Sequence, residues 1–264
     1  MTDRELKLLL DEESARINSP AFIGDDPVQF PRRFSDKRDI EIIGLLSAMI
    51  AWGNRKMICR DCERMLEIMG DDPYHYVMDE GYLNLNPEMN LHRTFFARNF
   101  IHFLKGLGSI YSNHDSLDSF AGALKVGETE YPAWELVGAM NREILKANDG
   151  VADNRGLPQN LRTTALKRVN MALRWFVRND GIVDMGVWES IPQSKLFIPL
   201  DVHVGNTARE LGLIERKAND RKTVELLTSR LREFNPEDPC IYDYALFGLG
   251  IESKPQPSKL RVGD

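Results

Sequence analysis

Cysteine and histidine are scarce in this chain of 264 residues, which contains three cysteines and five histidines. Such a small and odd number of cysteines excludes a disulfide framework. Cys59 and Cys62 form a single C-x-x-C pair, whereas a structural zinc site takes about four ligands. Cys62 also belongs to an apolar helical stripe, which favours a buried thiol. The histidines lack the spacing of metal ligands, so we expect no metal site and no cofactor.

Long hydrophobic runs are also missing. Hydrophobic residues make up 42% of the chain and charged residues 28%, and no window approaches the roughly 18 consecutive apolar residues of a membrane span. The N-terminal segment is acidic and has neither the basic start nor the cleavage site of a signal peptide. The sequence therefore predicts a cytoplasmic protein that does not enter a membrane.

Basic residues are outnumbered by acidic ones, with a formal net charge of −6 and a pI near 5.5. This balance argues against indiscriminate binding to nucleic acid, because Lys and Arg must neutralise the phosphates. The basic residues nevertheless form local clusters, which occur at 32–38, 55–64 and 162–178. If these clusters converge on one face of the fold, nucleic acid remains a candidate partner.

The sequence contains no alternating strand pattern longer than a few residues, no internal repeat and no phosphate-binding glycine loop. Apolar residues instead recur at helical spacing, and residues with capping side chains precede many of these segments. The prediction is an all-α protein with a loop over 18–34, a short helix after Asp72, and longer helices over 2–17, 36–51, 56–69, 91–107, 117–125, 132–146, 164–178, 202–211, 220–234 and 240–249.

The length suits one large domain or two lobes. A connection rich in glycine and asparagine at 147–160 marks the predicted boundary between two lobes of a single domain that spans 1–264. The N-terminal and C-terminal helices can share a lobe in this arrangement. Residues 253–264 contain two prolines and few apolar residues, and they are predicted to form a polar tail.

The stretch from 161 to 213 places Lys167 ahead of Asp201. In the helix predicted over 164–178, apolar residues share one face, and Lys167, Arg174 and Arg178 line another. A basic stripe on a helix is usually a solvated surface, and phosphate contact or catalysis are the alternatives. Asp201 is predicted to be the N-cap of the next helix. Capping alone explains this aspartate, although a carboxylate held by backbone amides also stays ionised and fixed in direction.

Two motifs in this stretch resemble those of a known superfamily. The motif K-x-x-N-x-x-L begins at Lys167 and includes Asn170, and the segment LDVHV contains Asp201 and His203. Both are similar to elements of the helix-hairpin-helix DNA glycosylase superfamily, and the segment IGLLSA at 43–48 resembles a helix of endonuclease III. Overall the chain is most similar, from about residue 36 to 250, to an uncharacterised bacterial family, a domain of unknown function within that superfamily.

The resemblance implies two helical lobes with a cleft between them, and a DNA-repair enzyme that removes a damaged base. Its expected partner is duplex DNA with a damaged base or an abasic site. Lys167 would form a Schiff base with the opened sugar, and Asp201 would deprotonate the lysine and stabilise positive charge on the sugar. Because a free lysine has a pKa near 10.4, cations such as Arg168 and Arg174 are expected to favour its neutral form. The four-cysteine iron–sulfur cluster of some endonuclease III relatives is not expected.

The same resemblance implies which residues contact nucleic acid. In the superfamily the turn after the LLSA helix approaches DNA, which makes residues 49–55 the candidate wedge that fills the space of an extruded base. A buried Met49 and Trp52 that close a helix pair are the alternative. Contacts with nucleic acid are predicted for Trp52, Asn54, Arg55, Lys56, Asn170, Arg174, Arg178 and His203.

Two departures from the superfamily pattern are visible. The segment GLPQN at 156–160 lacks the second glycine of the usual hairpin and lies further upstream of the lysine. Residues 180–194 are inserted relative to endonuclease III, a longer spacing that resembles archaeal 8-oxoguanine glycosylases. With these departures, the main hypothesis is a DNA glycosylase with abasic-site lyase activity. The alternatives are a catalytically inactive protein of this fold that binds nucleic acid or another macromolecule, and a purely structural or interaction protein.

Overall fold

Helices dominate the computed structural model, which describes residues 1–153 and 155–252. The two strands in this part of the chain form one small antiparallel hairpin. The predicted all-α class is therefore confirmed, and the predicted tail at 253–264 lies outside the described residues. The strands are β1 (Asn90–His92) and β2 (Phe95–Phe96), and the helices are α1 (Asp3–Ile17), α2 (Pro20–Ile23), α3 (Lys37–Met49), α4 (Arg55–Met69), α5 (Pro73–Met78), α6 (Ala97–Tyr111), α7 (Leu117–Ala123), α8 (Pro132–Ala147), α9 (Lys167–Val177), α10 (Val202–Glu210), α11 (Arg221–Phe234) and α12 (Tyr242–Glu252).

Capping side chains mark several helix starts. Thr2 opens α1 with a capping box, Asp36 caps α3 and Asp220 caps α11. Each side chain accepts a hydrogen bond from a backbone N–H that has no partner within its helix. The prediction that Asp201 is the N-cap of the following helix is confirmed, because its carboxylate caps α10.

The helix predicted over 91–107 is wrong in its first part, where the chain forms the β1–β2 hairpin before α6 begins. Arg93 at the hairpin tip has a φ of 51°, a left-handed conformation that interrupts a right-handed helix. The side chain of Asn99 then accepts a hydrogen bond from the backbone N–H of Phe96 and so stabilises the first turn of α6. The apolar spacing of this segment suits both structures, so periodicity alone does not separate them.

The stretch predicted as a loop over 18–34 also contains short helices. They are α2 and two 3-10 helices at Pro27–Gln29 and Pro31–Arg33. A proline stands near the start of each, where its missing N–H leaves no helical hydrogen bond unmade. Asp26 caps the first 3-10 helix by accepting from the backbone N–H of Val28. The prolines that indicated a loop therefore begin short helices.

Two groups of helix contacts organise the fold. α1 packs against α12, and α12 packs against α10, so helices from the two ends of the described chain lie together. In the other group α3 packs against α4, α5 and α9, while α6 packs against α8. All residues of α3 from 39 to 49 are buried, as expected for a central helix. The lobe boundary at 147–160 stays a prediction.

Helix α9 begins at Lys167, later than the predicted start at 164. Leu166 has a φ of 49°, which is incompatible with the interior of a right-handed helix. Lys167 therefore lies in the first turn of α9. None of the helices in the described part of the chain combines the length and the apolar content that a membrane crossing requires.

The inserted segment at 180–194 packs back onto α9. Trp188 stacks on Phe176, with their ring centroids 5.4 Å apart. Asp118, at the start of α7, accepts hydrogen bonds from backbone N–H groups of the segment. An aromatic contact on one side and a carboxylate on the other therefore fix the insertion against the helical core.

Candidate active site

A pocket with a volume of ≈ 930 Å³ lies where α2, α9, α10 and α12 approach the turn at 51–53. The connection at 155–158 forms a further part of its wall. Its volume lies near the upper end of the roughly 300–1,000 Å³ that small-molecule sites occupy. The pocket brings together residues that are far apart in the sequence, and both predicted catalytic residues line it.

Lys167 and Asp201 meet in this pocket. The Nζ atom of Lys167 lies 3.8 Å from Oδ2 of Asp201, and the two side chains are 29% and 30% exposed. Asp201 is held in direction because its Oδ1 accepts from the backbone N–H groups of His203 and Val204, each at 2.9 Å. Its other oxygen faces the amine. A lysine beside a carboxylate of fixed direction forms a nucleophile with an adjacent proton acceptor.

Two further aspartates, Asp26 and Asp243, line the pocket. Burial raises the pKa of Asp243 to about 6. The charge of Arg174 lowers this pKa, whereas the charge of Asp201 raises it further. Burial also raises the pKa of Asp26, against the hydrogen bond from the Val28 N–H. The pocket therefore combines one lysine with a half-exposed carboxylate and two buried carboxyl groups that ionise less readily.

Aromatic rings form another part of the wall. Phe22 makes edge-to-face contacts with Tyr244 and Phe247, with ring centroids 5.4 and 5.7 Å apart. Trp52 lines the pocket at the turn, and the guanidinium of Arg168 lies 5.2 Å from the centre of its ring. Rings of this kind bind a planar ligand by stacking or edge contact.

The residues of the predicted wedge occupy different environments. Met49 is buried and Trp52 is half-buried, and both line the pocket. The side chain of Asn54 caps α4 by accepting two backbone hydrogen bonds. Arg55 lines the pocket and pairs with an aspartate of its wall, whereas Lys56 is exposed and does not line the pocket. The turn therefore offers Trp52 and Arg55 to a ligand more directly than its other members.

Arg174 and Arg178, two of the predicted contacts with nucleic acid, lie buried among carboxylates in the structure. Their residues are only 3% and 2% exposed, and their guanidinium groups are engaged by carboxylates. The opposite charges of these carboxylates support the burial of the two arginines. Although Arg174 borders the pocket, both arginines serve to hold α9 to its neighbours. The carboxylates are Asp184 and Asp243 for Arg174, and Asp180, Asp184 and Asp238 for Arg178.

Asn170 and His203, the other two predicted contacts, differ in exposure. Asn170 is 1% exposed and donates from its side-chain amide to the carbonyl of Ala165. This hydrogen bond braces the loop before α9, and the contact of Asn170 with nucleic acid stays a prediction. His203 is exposed in the first turn of α10 and lines the pocket, so it stays a candidate contact.

The segment at 156–160 forms part of the pocket wall, which Gly156, Leu157 and Pro158 line. The side-chain amide of Asn141 donates to the carbonyl of Pro158 and holds the segment to α8.

Within residues 1–153 and 155–252, no group of three or more His, Cys, Asp or Glu side chains is arranged to hold a metal ion. Cys62 is buried, as the apolar stripe predicts.

Sequence reasoning missed Asp26 and Asp243 as site residues. Asp26 precedes a proline, which made it one more residue of a predicted loop. Asp243 lies in a C-terminal helix that is apolar on nearly every side. A carboxyl group in such a helix must find a partner or change its pKa, and this is the one signal in the sequence that points to it.

The fold and the site define an all-α protein with a lysine and a carboxylate facing each other in an aromatic-lined pocket. A family model described as "Protein of unknown function (DUF2400)" matches residues 26–252, and the chain belongs to this family. Neither a curated protein nor a solved structure matches the chain.

Proposed function

We propose that this protein is a DNA glycosylase of the helix-hairpin-helix superfamily, with abasic-site lyase activity that proceeds through a Schiff base on Lys167. The observation that carries the proposal is the 3.8 Å separation between Lys167 Nζ and Asp201 Oδ2 inside the pocket. An amine nucleophile needs a nearby group that accepts its proton, and the reacting sugar needs an anion beside its developing positive charge. Asp201 is placed to supply both.

The proposed reaction uses these two groups in sequence. The neutral amine of Lys167 attacks C1′ of an extruded nucleotide, and the base leaves with the electron pair of the broken glycosidic bond and takes up a proton from solvent. The bound amine passes a proton to Asp201, which delivers it to O4′ as the C1′–O4′ bond opens and C1′ becomes doubly bonded to Nζ. C2′ then loses a proton to solvent, the C3′–O bond breaks and the 3′ phosphate leaves with its electron pair. Water finally hydrolyses the C1′–Nζ double bond and releases the lysine.

The rest of the pocket supports a planar substrate. Phe22 and Phe247 are partly exposed and offer ring surfaces, with the buried Tyr244 packed against Phe22, and glycosylases must accommodate a base that has left the stack. The volume of ≈ 930 Å³ is sufficient for a base together with its sugar. The fixed direction of the Asp201 carboxylate also matters, since a preorganised anion needs no rearrangement as charge develops.

Borohydride trapping tests the proposal. Incubation with borohydride and duplexes that hold an abasic site, 8-oxoguanine or uracil should produce a covalent complex with at least one of them, and Lys167→Ala should abolish it. Lys146→Ala, which changes an exposed lysine in the last turn of α8, is the matched control and should trap normally. Trapping that persists in Lys167→Ala would assign the chemistry to another amine.

Asp201→Asn separates charge from capping. Asparagine caps helices about as well as aspartate, so this variant keeps the start of α10 and removes the anion. We expect trapping to slow by about 10²-fold or more, the order of effect seen when a charge-stabilising or proton-transfer group is removed. Base release is measured on the same duplexes, because a glycosylase without lyase activity escapes trapping.

A second candidate function is binding of nucleic acid without catalysis. The altered hairpin at 156–160 favours it, because the second glycine of the superfamily pattern is missing there. The net charge of −6 and the burial of Arg174 and Arg178 reduce the number of cations available to phosphate, so they count against both functions. Such a protein binds duplex DNA with an affinity that falls as salt rises, yet it neither traps nor releases a base. Absence of binding at low salt would exclude both functions.

A further inference from the structure

The β1–β2 hairpin is an isolated two-stranded sheet in the described part of an otherwise helical chain. Two strands alone are marginally stable, so this hairpin depends on what it contacts. His92, the last residue of β1, is 1% exposed and points into the structure. Its two ring nitrogens connect a helix on one side to the turn at the pocket on the other.

The hydrogen bonds of His92 define this connection. Nδ1 lies 2.6 Å from Oδ2 of Asp61 in α4, and Nε2 lies 3.0 Å from the backbone carbonyl of Trp52. A carbonyl oxygen and an ionised carboxylate both only accept, so the ring makes the two hydrogen bonds together when each of its nitrogens carries a proton. Asp61 is itself buried, and its other oxygen accepts from the guanidinium of Arg60. The imidazole is thereby oriented from behind by a carboxylate, as in other His–carboxylate pairs.

The turn that receives this hydrogen bond is held on several sides. The Trp52 indole makes an edge-to-face contact with the His92 ring at 4.6 Å between centroids, and the Arg168 guanidinium lies 5.2 Å from the indole ring centre. Gly53 has a φ of 106°, a conformation that residues with a Cβ rarely adopt. The guanidinium of Arg93, at the hairpin tip, lies next to this glycine, so the hairpin contacts a turn whose backbone favours glycine.

We infer that His92, oriented by Asp61, is a positioning residue that fixes Trp52 at the Lys167 pocket so that the indole stacks against the bound nucleic acid strand. The inference rests on the proposed function, since it names what the turn does for that substrate. His92 does not line the pocket, so it acts through Trp52. Sequence reasoning assigned Trp52 to the wedge but assigned no role to His92 or Asp61.

The first test needs no variant and determines which ring nitrogens of His92 carry protons. Spectra of the protein labelled with ¹⁵N-histidine should show a proton on Nε2 of His92, because its partner is a carbonyl. A neutral imidazole with its only proton on Nδ1 would overturn the inference, since such a ring cannot donate to Trp52. This measurement needs neither ligand nor activity.

A pair of substitutions then separates the two bonds of His92. The amide nitrogen of glutamine reaches about as far as Nε2, whereas that of asparagine reaches about as far as Nδ1. With 5-fluorotryptophan incorporated and the Trp52 signal assigned by its loss in Trp52→Phe, His92→Asn should move that ¹⁹F signal towards its solvent-exposed position, and His92→Gln should restore much of the native shift. If His92 only anchors the hairpin to Asp61, His92→Asn should instead keep more of the native ¹⁹F shift than His92→Gln. That result, or a native shift in both variants, would contradict the inference.

The link to the substrate is tested with duplexes that carry 2-aminopurine beside an abasic site. Binding should quench the 2-aminopurine fluorescence by stacking on Trp52, and His92→Asn and Trp52→Phe should each lose most of the quenching and trap at least tenfold more slowly. If the unmodified protein binds and traps but His92→Asn does so equally well, the positioning role is wrong. If the unmodified protein binds no duplex, the proposed function fails, while the ¹⁵N and ¹⁹F spectra still decide whether His92 anchors Trp52.

Discussion

The two ends of α9 carry the same kind of charge in opposite surroundings. At the first turn, Lys167 is 29% exposed and faces the pocket. At the last turn and just beyond it, Arg174 and Arg178 are 3% and 2% exposed and lie among carboxylates. The sequence places all three on one helical face, yet only the lysine is available to a ligand. The difference comes from what packs over each end of the helix.

The insertion at 180–194 and the C-terminal region cover the buried end. The insertion supplies Asp184, and Asp238 lies immediately before the short helix that leads into α12. Burial lowers the pKa of Arg178, but hydrogen bonds and charges from these two aspartates outweigh it and raise the pKa above its usual value. A cation is stable there only because the anions are present. The open end has no such cover, and Lys167 keeps access to solvent through the pocket.

The largest effect that tests this comparison is expected at the buried end. Arg178→Ala should lower the free energy of unfolding by about 3–5 kcal/mol, because it leaves buried carboxylates without their partner. Urea denaturation measures the change, with Arg142→Ala, at an exposed position of α8, as the control, for which a change within about 0.5 kcal/mol is expected. A loss below about 1 kcal/mol for Arg178→Ala would show that the carboxylates rearrange or become protonated easily.

A smaller effect is expected at Asp243, which pairs with Arg174 of the buried end and also lines the pocket that the open end faces. An unfolded aspartate has a pKa of about 3.9, and burial raises that of Asp243 to about 6. Between these values the folded state binds the proton and the unfolded state does not. The stability that this group contributes is therefore present below about pH 4 and is lost as the pH rises through about 6.

Comparison with Asp243→Asn isolates this titration. Relative to the variant, the unmodified protein should lose about 2 kcal/mol of unfolding free energy between pH 4.5 and pH 7. Urea denaturation at several pH values provides the measurement. A difference that stays constant, or that grows in favour of the unmodified protein as the pH rises, would mean that Arg174 keeps Asp243 ionised throughout this range.

The smallest effect on stability is expected at the open end. Lys167→Ala should change the free energy of unfolding by no more than about 0.5 kcal/mol, because a partly exposed ion pair contributes little. Thermal or urea unfolding measures it alongside the trapping assay. A loss of 2 kcal/mol or more would place Lys167 with Arg174 and Arg178 as a structural cation, and a loss of trapping would then need a separate explanation.

Local signals in the sequence determined the ends of several elements. Thr2, Asp36 and Asp201 cap helices because their side chains bond to backbone N–H groups two or three residues ahead. The apolar period of α3 likewise predicts a buried helix from neighbours one turn apart. These interactions involve only residues close together in the chain, so the sequence alone predicts them. The meeting of Lys167 and Asp201 was predicted by resemblance of their motifs, and no local rule requires it.

Tertiary structure decided the rest of the site. His92 bonds to Asp61 and Trp52, which lie in separate elements, and the apolar residues around it suit a helix as well as a hairpin. The burial of Arg178 depends on Asp184 and Asp238, which approach it only after the insertion and the C-terminal helices have packed. A charged side chain is exposed by default because desolvation is costly, and only distant partners of opposite charge reverse that preference. Spacing along one helix contains no information about those partners.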